Sequence, residues 1–385
     1  MNEAWYQLKF LESTQNLKSI LSNNAGQSIS DRLCNNIMVC LQQGKSFFEI
    51  AESSPLETKP LIVFYGMMGF ARAMIMARTL SCIETLPQKH GLKDISSNVT
   101  KLESLTLKVT TDGTLHRMND SVRTLEKFIV HRDSDVYYVR QPTIESQGLH
   151  GRTFTLRDIL ARIDQIRKLY RDTFSENAKV VSCSHFTETI LDSHQCLEFK
   201  VYVDVAPKED LLQIVGDLRN TFTFLKNWNF KGAQHVAGLF VSVEFTNQKY
   251  PGQDPDHNSD VVAWIANPYT SKAHQRSDGP PVFEDGILSR TAPISGGLSS
   301  DMNTHVIEPF EGVFLSELTL FYMGMFLLSS LVRYRPDIWS NTLSRRAVSN
   351  NPVDDKALAL IERFIEISLS NFPQFVVNII KERFS

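Results

Sequence analysis

The run from Leu318 to Val332, inside Glu317–Trp339 (ELTLFYMGMFLLSSLVRYRPDIW), carries no charged side chain, and no other stretch constrains the fold as much. A bilayer span needs roughly 20 apolar residues, so this run is too short to cross one. A helix apolar on nearly every side belongs inside a core. Arg333, Tyr334, Arg335, Pro336, Asp337 and Trp339 then arrive together. Pro336 lacks a backbone donor and pushes Arg335 out of helical geometry, which predicts the helix end there.

A second segment has the same character. After Thr58 and Lys59-Pro60, the run LIVFYGMMGFARAMIMARTL is apolar around the wheel, relieved only by Arg72 and Arg78. Proline suits a first helical turn, so a buried helix is expected to start here and to run on toward Pro87. Gly66 and Gly69 lower helix propensity and predict close approach of another helix. The expected partner is Leu318–Val332, which has its own Gly324. His90-Gly91-Leu92 forms the exit, where Gly91 suits a left-handed turn.

Toward the N-terminus, Trp5, Leu8 and Leu11 fit a short amphipathic helix broken at Asn23, Asn24 and Gly26, and Ser30 can cap the next helix. From Ser96 the pattern changes. LTLKVTTDGTLHRM alternates around Asp112-Gly113, a strong hairpin signal. Val136–Val139 reads as a strand and Thr155–Phe174 as one helix with a single apolar face. Cys196–Val205 and Val236–Phe245 read as strands around a helix at Lys208–Leu225, and Val261–Ile265 as one more. Residues 247–310 are rich in Pro, Gly, Ser, Asn and Asp, and so long an irregular loop in a folded domain is usually functional. Helix resumes at Glu311 and again at Pro352–Leu369.

The chain has 385 residues, 42% hydrophobic and 22% charged, which is the composition of a globular protein of about two to three domains. Its net charge of −3 gives no global drive toward nucleic acid, although a local basic groove remains compatible with it. Five cysteines without CxxC spacing argue for free thiols, not a disulfide frame or zinc site, and no metal is expected. The pattern shows neither a signal peptide nor a membrane span, so the expected location is the cytoplasm. The fold class is α+β: a mainly helical core built from residues 1–95 and 300–385, with residues 96–299 inserted as a strand-containing module.

Several of these pieces resemble the YaaC-like family of bacterial proteins. They are Lys59-Pro60 followed by Phe64-Tyr65-Gly66-Met67 and Ala71-Arg72-Ala73, then His90-Gly91-Leu92, then Leu331–Pro336 with Trp339, and Phe372-Pro373 with Asn378. Order and approximate spacing agree over most of the chain, and RYRP followed by W is the most specific piece. The resemblance implies a fold and no reaction. The Phe64-Tyr65-Gly66 helix also resembles the helical core of HEPN domains, many of them RNases with Arg and His a few positions apart on one helix. The nearest such pair here, Arg123 and His131, is more widely spaced and outside the helical core.

No catalytic signature names a reaction. Arg333, Tyr334, Arg335 and Trp339 form a candidate anion or nucleotide site, since guanidinium forks suit phosphate and aromatic rings can stack a base. The same residues also suit a helix C-terminus without any ligand. Lys59 and Arg72 join the candidates if they reach the same end of the core. His90 is a candidate acid or base, in a place where a lone histidine more commonly caps or packs. Asp254, Asp256, His257 and Asp260 lack the EF-hand pattern and read as a solvated loop. Ser295–Ser300 lacks a P-loop lysine and reads as a linker. His131-Arg132-Asp133 has no downstream kinase partners. Phe222, Phe224, Trp228 and Phe230 interleave with Arg219, Lys226 and Lys231; this can mark single-stranded nucleic-acid binding but better suits a connection covering a sheet.

Two functional readings follow. One is a regulatory or interaction scaffold that meets a protein partner or a second copy through the 247–310 loop or a sheet edge, without a cofactor. The other is an enzyme or sensor for a nucleotide or RNA that uses Arg72, His90, Arg333 and Arg335. A role in bacterial antiviral defence accords with either. Convergence of those four side chains without carboxylate partners would favour the second.

Overall fold

A computed structural model describes residues 3–97, 101–122, 127–132, 135–140, 146–183, 186–191, 194–204, 210–222, 225, 229–236, 240–246, 288–290, 304–308, 310–311, 315–343 and 353–381. Helix α1 (Glu3–Leu11) passes into α2 (Thr14–Ala25) at Ser13, whose hydroxyl accepts from the Asn16 amide. Gly26 ends α2 in the left-handed region. Ser30 caps α3 (Asp31–Ser53) by accepting from the Leu33 amide. Helix α4 (Lys59–Thr79) has Pro60 in its first turn. It stops at left-handed Leu80 (φ +52°), earlier than the expected exit near Pro87, because the uncharged pattern carries no mark of the reversal.

Strands β1 (Leu92–Asp94) and β2 (Thr106–Val109) are antiparallel. The hairpin expected at Asp112-Gly113 does not form. The chain enters α5 (Thr114–Val122) instead, with the Thr114 and Leu115 amides donating to the carbonyls of Lys89 and His90 at 2.8 and 3.0 Å. A Cβ on Gly113 would lie 2.1 Å from the Gly91 nitrogen, so this turn is held by a tertiary contact. Then come β3 (Lys127–Arg132), β4 (Asp135–Arg140), α6 (Ser146–Leu149) and β5 (Thr153–Thr155), which completes a three-stranded sheet ordered β1-β2-β5.

The single helix expected at Thr155–Phe174 is broken. Thr155 and Asp158 form a reciprocal capping box for α7 (Leu156–Leu160), a 3-10 turn spans Asp164–Ile166, and α8 (Arg167–Phe174) follows. Ile163 is extended at the break, yet Leu156, Ile159, Ile163, Ile166 and Tyr170 are all buried, so the apolar face survives the interruption.

The larger sheet contains β6 (Val180–Cys183), β7 (Phe186–Leu191) and β8 (His194–Asp204). After α9 (Leu211–Thr221), capped by Asp210, it adds β9 (Asn229–Val236), β10 (Phe240–Thr246), β11 (Leu288–Arg290) and β12 (Thr304–Ile307). The strand expected at Val236–Phe245 is therefore the meeting of β9 and β10. The order is β11-β12-β6-β8-β7-β3-β4, with β10 on the other edge of β8 and β9 beyond it. Pairing is antiparallel except for β3 with β7. Val261–Ile265, Asp254–Asp260 and Ser295–Ser300 lie outside the described residues.

The C-terminal helices close the core. Ser316 caps α10 (Glu317–Tyr334) by accepting from the Thr319 amide, and Pro336 both ends it and begins α11 (Pro336–Leu343). Helix α12 (Val353–Lys381) continues through Pro373. Helices α4 and α10 run antiparallel, with Phe64 against Phe326 and Tyr322 at ring-centroid distances of 5.6 and 5.3 Å. Gly66 and Gly69, however, face α3. A Cβ on Gly69 would lie 2.9 Å from the Gly44 nitrogen, and one on Gly66 would meet the Phe48 ring. Gly324 faces the Phe364 ring of α12. One apolar core runs from Leu8 through α3, α4, α10 and α12, and also takes in Leu107, Leu115, Ile159 and Tyr170. The fold is thus α+β, a mainly helical core with a strand-containing module. Among the described residues, Lys59–Thr79 has the length and apolarity of a membrane span, and 78% of its most apolar window is buried inside the protein.

Candidate functional site

The loop between α4 and β1 lies over the antiparallel α4–α10 pair. Gly91 (φ +87°) reverses it, and a Cβ there would lie 2.8 Å from His116 Nδ1, so α5 clamps the loop from above. His90 therefore has a fixed place. Its Nδ1 is 3.4 Å from the Met68 sulfur, and its ring packs edge-on against Phe64 at 5.2 Å and near Phe326 at 6.1 Å. Burial, then the positive charges of Arg333 and Arg72, push the His90 pKa below its ordinary value. Near neutral pH the imidazole is uncharged, with one donor and one acceptor nitrogen.

Arg72 projects from α4, and its charge also acts on Cys40 and Tyr322. Its Nε is buried without a hydrogen-bond partner, and it is in no ion pair among the described residues. Arg333 donates from Nε and a terminal nitrogen to the Ser329 carbonyl and hydroxyl at 3.2 and 3.3 Å. Its guanidinium lies over the Tyr334 ring, 5.0 Å from the centroid, and Tyr334 is 70% exposed. Among the described residues no carboxylate pairs with Arg333 either.

The other candidates lie around this centre. Arg335 caps α10, and its charge reaches Asp94 on β1. Burial disfavours the Asp94 carboxylate, but hydrogen bonds from Ser330 and Ser96, at 2.5 Å each, and the Arg335 charge hold its pKa below the usual range. Trp339 is 3% exposed, and its indole donates to the Glu57 carbonyl at 2.9 Å. Lys59 Nζ is 3.5 Å from the Glu52 carbonyl. Lys59 and Arg72 are about 20 Å apart along α4 at about 1.5 Å rise per residue, too far to hold one small anion together.

The structure thus brings Arg72 and Arg333 within electrostatic reach of His90, sets Arg335 beside Asp94, and commits the Trp339 indole to the core. Asp94, Ser96 and Ser330 escaped the sequence reading. Their one signal was Ser329-Ser330, a polar pair inside an otherwise apolar run. Phe222 closes α9 as a buried residue and Phe230 is on β9, while Phe224, Trp228 and Lys226 lie outside the described residues. Among the described residues no cluster of three or more His, Cys, Asp or Glu could hold a metal ion. Cys34, Cys40 and Cys82 are free thiols.

Two guanidinium groups, in no ion pair among the described residues, act electrostatically on a neutral imidazole, and guanidinium groups are the residue type that suits a phosphate or carboxylate. Among the described residues no carboxylate hydrogen-bonds His90; its Nδ1 faces a thioether, which does not raise its basicity. Compared with known proteins, the chain matches a family model described as YaaC-like Protein over residues 1–380. No curated protein and no solved structure matches it.

Proposed function

This chain belongs to the YaaC-like family, and on that footing we propose that it is a regulatory protein that senses a phosphate-bearing ligand, a nucleotide or RNA, at the Arg72–His90–Arg333 face. The observation that carries this reading is the setting of His90: burial first, then the charges of Arg333 and Arg72, lower its pKa, and neither arginine meets a carboxylate among the described residues. A bound anion would be attracted by both arginine charges. The exposed Tyr334 ring beside Arg333 offers a stacking surface for a base. This reading sets the protein in the cytoplasm, where such ligands occur and free thiols stay reduced.

The test is a thermal-shift series with nucleoside triphosphates and short RNA, repeated on a double variant, Arg72→Gln with Arg333→Gln. A ligand at a hundred times its Kd stabilises by about 2.7 kcal/mol, which moves the melting midpoint measurably. The shift is expected in the parent and absent in the variant. A shift that survives both substitutions removes this site.

A second reading, self-association as a scaffold, draws on Val39 and Ile50. They are 55% and 53% exposed and stand on one face of α3 about three turns apart. Sedimentation of the parent against Val39→Lys with Ile50→Lys tests it. A monomer in both cases rejects it.

A further inference from the structure

We propose a second, independent binding site in the strand module: a pocket for a small organic monoanion with an aromatic or branched apolar body. The pocket lies between α8, α9 and strands β6 and β8, with a volume of about 100 Å³. Its floor is apolar, with Val180, Ile214, Leu218 and Phe222 each buried. Its rim is basic: Arg167, Lys168 and Arg171 line it from α8, against the single carboxylate of Asp217 on α9.

The sequence builds this asymmetry. Helix α8 is short and turns its apolar face, carrying Tyr170, into the main core, which leaves its basic residues toward α9. Ser175 then ends α8 in the left-handed region (φ +54°), and the chain turns so that Asn177 and Ala178 enter the pocket wall.

Size and charge choose the ligand class. A cavity of about 150 Å³ lined by apolar groups accommodates a benzene ring, so a pocket of this order takes one ring or one branched chain and little more. A nucleotide is too large for its floor, which separates this site from the one around His90. Arg167 is already engaged by Asp164 at 2.5 Å, which fixes it as a wall. Lys168 is exposed and in no ion pair among the described residues, so its ammonium is the group that meets an incoming carboxylate.

The experiment uses phenylacetate and its uncharged counterpart phenylacetamide as probes, followed by ligand-observed NMR on the full chain. Phenylacetate is expected to bind about tenfold more tightly than the amide, as a charge-assisted hydrogen bond requires. Lys168→Gln should remove most of that preference while leaving amide binding unchanged. Leu218→Trp fills the floor and should abolish both; Ile214→Phe repeats that arm should Leu218→Trp fail to fold, judged by circular dichroism. The Arg72→Gln with Arg333→Gln variant should bind phenylacetate as the parent does. Equal binding of acid and amide, or phenylacetate binding that survives a folded floor variant, overturns the proposal. Loss of binding in the Arg72/Arg333 variant assigns the probe to the His90 face and overturns it too.

Discussion

The hydroxyl of Tyr322 donates to the thioether sulfur of Met68, 2.7 Å away, across the α4–α10 interface. Tyr322 is fully buried, and burial pushes its pKa well above the ordinary tyrosine range, with a hydrogen bond to Thr114 and then the Arg72 charge acting the other way. Near neutral pH the hydroxyl is therefore protonated. It adds a directional contact to the apolar packing of Phe64 against Tyr322 and Phe326.

The two partners should respond alike to removal. Tyr322→Phe leaves behind a sulfur, a weak acceptor, and a Thr114 hydroxyl that still donates to the Lys89 carbonyl, and should cost about 1 kcal/mol. Met68→Leu conserves volume and leaves Thr114 as a partner for the buried hydroxyl, and should also cost about 1 kcal/mol. Urea unfolding of both single variants and the double variant measures the coupling. If the two costs simply add in the double variant, the sulfur is only a packing neighbour.

Gly69→Ala tests the close approach of α3 and α4. Alanine favours a helix by about 1 kcal/mol over glycine. The new Cβ would nevertheless stand 2.9 to 3.1 Å from the backbone of Gly44 and Cys40, atoms that cannot rotate away. Overpacking costs typically 1–3 kcal/mol, so a net loss of about 1 kcal/mol or more is expected. Gly324→Ala should be milder, because its nearest neighbour is the far edge of the Phe364 ring. Melting midpoints of the two variants decide the order, and a Gly69→Ala protein as stable as the parent would mean the helices sit farther apart.

What the sequence made legible follows from how local each cause is. Both ends of α10 could be read because Ser316 and Pro336 act on their own backbone neighbours. Two buried helices were legible because each lacks charge over several turns. The Asp112-Gly113 turn misled because Lys89 and His90 capture the following amides, a contact no short pattern encodes. Gly66 and Gly69 announced a close neighbour without saying that it is α3, since a missing side chain carries no address. In the candidate site, Arg72, His90 and Arg333 stood out as residue types in unusual places. The Asp94–Ser330 pair, 236 positions apart, could come only from the fold.

His90 should make stability depend on pH near neutrality. Its folded pKa lies below the unfolded value of about 6.5, so the unfolded chain binds more protons between the two. Stability is complete above about 6.5 and falls as pH drops below it. His90→Gln should lack that part of the decline when melting midpoints are compared between pH 8 and pH 5. A phosphate-bearing ligand at the site should offset the arginine charges and raise the His90 pKa, visible as a shifted imidazole titration by NMR. Parallel pH profiles of parent and variant would show that His90 does not titrate against the fold.

Ser330→Ala tests how β1 is tied to α10. Ser330 and Ser96 donate to Asp94, and the Arg335 charge adds to their effect, so the carboxylate is favoured despite burial. A hydrogen bond to a charged group contributes about 1.5–3 kcal/mol, so the variant should lose about 2 kcal/mol at pH 7. The sign of the pH effect follows from the depressed pKa. The stabilisation is present above the unfolded carboxylate value of about 3.9 and is lost as pH falls through the lower folded value. Urea unfolding of parent and variant at pH 7 and again below pH 3.5 should therefore show the gap narrowing in acid. A penalty that stays the same at both pH values would mean that Ser330 matters for packing in α10 and does not hold the charge on Asp94.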